Sequence, residues 1–368
     1  MKRPLPPLLP FQPGFADLAI SICLAILVLI TRLPFRTGAL YNWDSANFAL
    51  ALDHYDVTRH HPHPPGYFYY VIGARLLGLA LGEANASLVA EGIIFSVLAV
   101  VSVYFLGKAL FDRSCGLTAA ILLMFSVTFW SYGTIALPYV SLAFFSAGAA
   151  FFAYRAASKR PHSLLALSTT YAIGGGFRPD LLLLLGPLWL FSHLRQPKRE
   201  IGLSIGLVAV GFALWFVPTV WLSGGLDSYR AVLLAYLEVD VVQKYSSTSR
   251  GLGGLLVNAR DTASYLFYAL YFTALPLLVG LAYIARHPGA LRGRLPIFLA
   301  VWLLPMFAFY VVVHVGDPGY VFTILPALVV LGARATAELA DQSIPPALSH
   351  FKVPSRLRRA VVPAVVAA

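Results

Sequence analysis

The sequence predicts an all-α, polytopic membrane protein with about ten transmembrane helices. Of its 368 residues, 59% are hydrophobic and 12% charged, about half the charge of an ordinary soluble domain. Apolar runs of about 17–25 residues recur along the chain, the length that a bilayer core ~30 Å thick requires of a helix. Between those runs lie small basic groups, and the mean hydropathy is +0.75.

Residues 16–33 form the first run. Only Met1-Lys2-Arg3-Pro4 opens the chain and no small-residue cleavage site precedes Arg32, so the run reads as a retained span rather than a signal peptide. Residues 67–81 form a second run, led by Tyr67, Phe68, Tyr69 and Tyr70 and interrupted by Arg75. At 1.5 Å per residue it reaches only ~22 Å, short of a crossing. It fits an amphipathic juxtamembrane helix with its aromatic rings at headgroup depth. The remaining spans are read as 86–110, 116–130, 135–157, 164–177, 181–193, 201–222, 263–285, 296–315 and 318–335. Residues 1–338 then make one transmembrane domain. Residues 339–368 make a basic cytoplasmic tail whose end, from Ala360, has the look of a further apolar segment.

Charge sidedness supports the alternation. With the N-terminus in the cytoplasm, 18 of the 27 basic residues fall inside, as the positive-inside rule requires. Most carboxylates fall outside, including Asp44, Asp53, Asp56, Asp180 and Asp317. The formal charge of +11 is spread between apolar runs rather than gathered on one face, which suits membrane lipid and excludes nucleic acid. Cys23 and Cys115 lie in or beside apolar runs and read as buried thiols. Two features stand out on the outer side: residues 223–262, too long for a simple connector, and the tight turn Asp317-Pro318-Gly319-Tyr320.

The stretch from Trp43 to Tyr70 concentrates the chemistry. Asp44, Asp53, Asp56, His54, Arg59, His60, His61 and His63 fall within twenty residues, where the chain first meets water after a span. Asp44 follows an interfacial Trp43, and partial desolvation there suits a carboxylate to general-base work. It is equally placed to cap the helical pattern at 46–52, and the two roles are compatible. In His60-His61-Pro62-His63-Pro64-Pro65-Gly66 the prolines favour an extended backbone that displays the imidazoles. As a metal site, His61 and His63 would share a divalent ion with Asp44 or Asp53. As a linker into the helix at Tyr67, the string would bring one histidine to substrate, the reading the prolines favour. Phe177-Arg178-Pro179-Asp180 interrupts an apolar stretch. Charges at a membrane edge mark function, or else a turn with a local ion pair. Glu91, inside an apolar run, faces either a polar cavity or the interface.

These residues resemble the GT-C glycosyltransferases, and most of all their protein O-mannosyltransferase and lipid A aminoarabinose transferase branches. The resemblance rests on the aspartate after the first span, the Pro-Pro string and the aromatic helix. It continues through Tyr104-Phe-Leu-Gly-Lys-Ala-Leu-Phe-Asp-Arg, Gly174-Gly-Gly-Phe-Arg-Pro-Asp and Gly319-Tyr-Val-Phe-Thr-Ile-Leu-Pro. It implies a bacterial plasma-membrane transferase with its active site on the outer face. The implied donor is a polyprenyl-phosphate-linked sugar, hexose or pentose, and the acceptor a protein or glycan hydroxyl. Asp44 matches the family's base. Arg59, Arg178, Asp180, His61, His63, Tyr67 and Tyr320 are the expected substrate contacts. Arabinose-branch members often carry arginine before the tyrosine of the last motif. Gly319 stands there in this chain, which moves the phosphate contact to Arg178, Arg59 or a loop arginine. Ser45 replaces the glutamate that follows the aspartate in eukaryotic mannosyltransferases. A flippase for lipid-linked saccharides would show internal repeats and midplane charges, which the sequence lacks. A non-catalytic subunit of the same fold is the other alternative.

Overall fold

A computed structural model of the chain describes residues 14–342, apart from 272, 287–292 and 294. The expected tail and its further apolar segment therefore lie almost wholly outside the described residues. Among those described, helices account for nearly all regular structure, and the one β contact is an antiparallel bridge between Asp56 and His61. In order they are α1 (Phe15–Arg32), α2 (Trp43–Asp53), α3 (Phe68–Leu81), α4 (Ala84–Leu110) and α5 (Arg113–Met124). Next come α6 (Val127–Tyr132), α7 (Val140–Ala157), α8 (Ser163–Phe177), α9 (Asp180–Ser192) and α10 (Lys198–Leu222). The last are α11 (Leu226–Tyr236), α12 (Ser247–Leu270), α13 (Ala274–Arg286), α14 (Leu295–Val312) and α15 (Leu325–Gln342).

The chain is an integral membrane protein. Five helices, α1, α4, α7, α10 and α14, are long and apolar enough to cross a bilayer. Helices α4 and α7 run through the middle, with 61% and 72% of their apolar windows buried, against 17% and 11% for α1 and α10. The centre is built for close approach: α7 presents Ala143, Ser146, Ala147 and Ala150, all buried, and small residues let helix backbones draw together. Trp302 Nε1 of α14 donates to Ser146 Oγ at 3.0 Å, a buried polar link inside that seam. The outer helices turn Leu18, Ile22, Ile26, Val210, Leu214 and Val217 outward, as lipid contact demands.

The expected span 318–335 opens as a 3₁₀ helix over Pro318–Thr323 before α15, and two others are divided between α-helices. The run 116–130 breaks between α5 and α6, and the run 263–285 breaks between α12 and α13. The breaks meet: Ser126 Oγ donates to Ala269 O at 2.7 Å, one of the last carbonyls of α12, which lack partners within their own helix. Hydropathy does not register this, because it counts side chains and not the backbone groups that a neighbouring turn satisfies. The expected outer loop 223–262 is largely ordered as α11, a π-helical turn over Leu237–Gln243 and the start of α12. Helix α3 forms as expected and buries Tyr70, Val71 and Ala74 against the bundle.

Candidate active site

Asp44 sits in the first turn of α2, and the cap of that helix is Asn42. Its Oδ1 accepts from Ser45 N at 3.0 Å and Ser45 Oγ at 3.1 Å. The alternative of Asp44 as the cap is thus corrected, and its carboxylate is left uncommitted. It accepts no hydrogen bond from the described residues, and His63 Nδ1 stands 3.8 Å from its Oδ1. Burial raises its pKa above the ordinary aspartate value, while the Arg178 charge pulls the other way.

The histidine string is folded rather than extended. Asp56 and His61 exchange backbone hydrogen bonds at 2.6 and 3.0 Å around a 3₁₀ turn over Val57–Arg59. The cause is Asp56, whose Oδ1 accepts from Thr58 N at 2.9 Å and Thr58 Oγ1 at 2.7 Å, a local side-chain turn that outcompetes the extended backbone expected of the prolines. Tyr229 OH of α11 donates to Pro65 O at 2.9 Å, and Tyr55 OH to Gly66 O at 2.8 Å. The string is thereby clamped against α10 and α11, with His63 turned inward. Its ring packs against Phe48 at 5.2 Å and Tyr67 at 4.8 Å. Burial, followed by the Arg178 and His60 charges, lowers its pKa to about 3, so the imidazole beside Asp44 is neutral. His63 Nδ1 is buried and has no hydrogen-bond partner.

Arg178 closes the other side. It ends α8 in extended conformation, and its side chain is 3% exposed. Asp180, the first residue of α9, accepts from Arg178 Nε at 3.1 and 3.0 Å. The guanidinium carbon lies 4.0 Å from the Tyr320 ring centroid and 4.9 Å from that of Tyr139, a cation held between aromatic faces. Nη1 is buried without a partner. The Arg178 charge acts on Asp44, His63, Tyr67, Tyr236, His314, Asp317 and Tyr320 alike. Residues from six separate segments of the chain therefore share one electrostatic neighbourhood.

Gly319 now has a physical explanation. A Cβ at that position would collide with the Tyr139 ring. No arginine side chain fits there, and the guanidinium arrives instead from Arg178, between Tyr139 and the neighbouring Tyr320. The other expected contacts divide. Tyr67 and Asp180 join the cluster. Arg59 is exposed and paired with Asp56 at 3.4 Å, and the backbone of His61 is held in the bridge to Asp56. No three His, Cys, Asp or Glu residues among those described are grouped to hold a metal, so the expected trio of Asp44, His61 and His63 is not assembled. Sequence reasoning passed over Tyr139 and His314, and it read Asp317 only as a turn residue. Asp317 Oδ1 accepts from Tyr132 OH at 2.6 Å and Gly319 N at 2.9 Å. Its place before Pro-Gly was the available signal. Single rings near the ends of apolar runs gave none.

Residues 62–222 match the family model of dolichyl-phosphate-mannose-protein mannosyltransferases. No curated protein is significantly similar to the chain in sequence. Among solved structures, the chain is similar to ArnT from Cupriavidus metallidurans in the apo state, at TM-score 0.61 and 12% identity. That match covers 92% of this chain and 62% of ArnT. With ArnT bound to undecaprenyl phosphate the TM-score is 0.59 at 13% identity, covering 96% and 68%. It is also similar to the archaeal oligosaccharyltransferase AglB from Archaeoglobus fulgidus in complex with an inhibitory peptide and a dolichol-phosphate. There the TM-score is 0.51 at 13% identity, covering 96% and 56%. The chain thus spans about three-fifths of the length of the ArnT it matches. It has the GT-C fold, and its sequence is related to the mannosyltransferase family over residues 62–222.

Proposed function

We propose that the protein is an integral-membrane glycosyltransferase that moves a sugar from a polyprenyl-phosphate-linked donor to an acceptor hydroxyl, with inversion. The observation that carries this is Arg178: a buried guanidinium, oriented by Asp180 and two tyrosine rings, with an amino group still lacking a partner and a charge felt at Asp44. A buried donor left without a partner costs about 1–3 kcal/mol, and more when charged, which a phosphate ligand would recover. Arginine pairs with phosphate through two parallel hydrogen bonds.

In the reaction, the acceptor hydroxyl gives its proton to Asp44. Its oxygen bonds to the anomeric carbon as the bond from that carbon to the phosphate oxygen breaks. The electron pair leaves with polyprenyl phosphate, and Arg178 faces the charge that develops there. Burial gives Asp44 the proton affinity of a useful base, while the Arg178 charge keeps it available as carboxylate. His63, neutral and with a free Nδ1, orients the sugar or the hydroxyl. Tyr139 takes the space beside Gly319, so an arginine missing there does not by itself favour a non-catalytic subunit. The matched family model makes mannose the first sugar to test and a protein hydroxyl the first acceptor; lipid A and other glycans follow. Charge sidedness supports a site on the outer face with the N-terminus in the cytoplasm, and the resemblance to the aminoarabinose transferase branch supports a bacterial plasma membrane.

Donor recognition is tested with the purified full chain and undecaprenyl phosphate. Arg178→Lys is expected to weaken binding tenfold or more, because a point charge does not reproduce the fork. Unchanged affinity returns Arg178 to a structural ion pair. Sidedness is tested with cysteines at two exposed positions in intact cells. Thr58→Cys is expected to react with an impermeant thiol reagent and Lys159→Cys is not; the reverse pattern removes the outer-face assignment.

A further inference from the structure

His314 is a buried histidine that the transfer reaction does not use. It follows α14, is 7% exposed, and its Nε2 lies 2.9 Å from Tyr320 OH. That hydroxyl is the polar tip of the ring whose face supports Arg178. The main chain of Tyr320 is fixed separately, through Tyr310 OH, which donates to Tyr320 O at 2.9 Å. The ring packs against Tyr139 and Tyr310 at 5.7 and 6.1 Å, and its polar tip is held by His314. The imidazole is itself held in place. Tyr245 packs on it with centroids 4.5 Å apart. On another side, a Cβ at Gly316 would stand 2.7 Å from His314 Cε1 and 2.9 Å from Nε2, so only glycine leaves the ring where it is.

The other ring nitrogen argues against simple packing. His314 Nδ1 is buried and has no partner, a cost that a leucine or phenylalanine in the same space would avoid. The compensating feature is the bond from Nε2. Burial, then the Arg178 and Lys244 charges, lowers the His314 pKa to about 4, so this is a hydrogen bond of a neutral ring. The same corner is tied to the segment between α10 and α14. Asn258 Nδ2 donates to Tyr245 O at 2.9 Å, and Ser247 Oγ to Val312 O at 2.8 Å.

We propose that His314 is a positioning residue for the donor phosphate: it fixes the Tyr320 ring, and the ring fixes the plane of the Arg178 guanidinium. This rests on the reading that Arg178 meets the phosphate. The test measures binding of undecaprenyl phosphate to the purified full chain. His314→Leu and Tyr320→Phe are each expected to weaken binding roughly five- to tenfold, the size of one neutral hydrogen bond. The double variant is expected to bind no worse than either single one, because both cut the same link. His314→Gln places an amide near the position of Nε2 and is expected to restore most of the affinity. A merely structural histidine would give no such rescue. Gly316→Ala, which displaces the ring without removing it, is expected to fall between. Wild-type affinity in His314→Leu, alongside a loss in Arg178→Lys, overturns the inference and leaves the donor reading standing. No loss in Arg178→Lys overturns both. Additive losses in the double variant also overturn it. Should His314→Leu fail to fold, Tyr320→Phe removes a single oxygen, and normal binding by that variant is equally decisive.

Discussion

At the end of the bundle away from the site, Asp17 of α1 is 1% exposed and its carboxylate is surrounded by donors. It accepts from Gly14 N at 3.0 Å, Tyr104 OH at 2.5 Å and Lys108 Nζ at 2.6 Å. Arg113 adds Nε at 3.1 Å and Nη2 at 3.2 Å. At the site end, Arg178 is as deeply buried, yet Asp180 reaches only its Nε, and the partly exposed Asp44 receives no donor from the described residues. Buried polar groups in folded proteins are nearly always paired. The saturated cluster is therefore complete as it stands and ties α1 to α4 and α5. The other is left open at Arg178 Nη1, so the equal burial of Asp17 and Arg178 goes with unequal pairing.

Asp44→Asn gives the largest expected effect. Asn42 keeps capping α2, so the fold should be unaffected, while the base is gone. General-base catalysis is worth ~10²–10⁴-fold, and transfer to an acceptor hydroxyl should fall on that scale with donor binding and melting temperature near wild type. Near-normal transfer removes Asp44 from the mechanism. Loss of folding instead would erase the contrast between the two ends.

Asp17→Ala should do the reverse. It removes the carboxylate that Lys108 and Arg113 share, and breaking such a pair costs roughly 3–5 kcal/mol, toward the lower figure here because Arg113 is half exposed. Thermal stability should drop, while the protein that remains folded keeps its specific activity. Intact stability with lost transfer would show the distant cluster to be coupled to the site.

The smallest effect concerns pH. Activity needs Asp44 as carboxylate, and burial raises its pKa, so kcat/KM should fall on the acid side through a pKa above the usual aspartate value. The Arg178 charge lowers that pKa; its removal in Arg178→Gln should move the acid limb to higher pH in the residual activity. An unmoved limb would mean that the two groups do not share a site.

The sequence by itself determined the membrane class and the order and ends of most of the apolar helices, and it singled out Asp44, Arg178 and Asp180 as candidates. Those properties are local: apolar length, a charge at a membrane edge and a carboxylate after a span are all written in contiguous residues. What it misjudged was also local in cause, as in Asp56, whose side-chain turn folds the histidine string that the prolines alone would extend. The meeting of the breaks at Ser126 and Ala269, the approach of His63 to Asp44 and the Tyr139–Arg178–Tyr320–His314 stack were decided by the tertiary structure. Each joins segments far apart in the chain, and the last depends on Gly319 yielding its space to Tyr139. Sidedness brings such residues to the same end of a bundle, but only the packing of helices against one another sets which atoms meet and which are left without a partner.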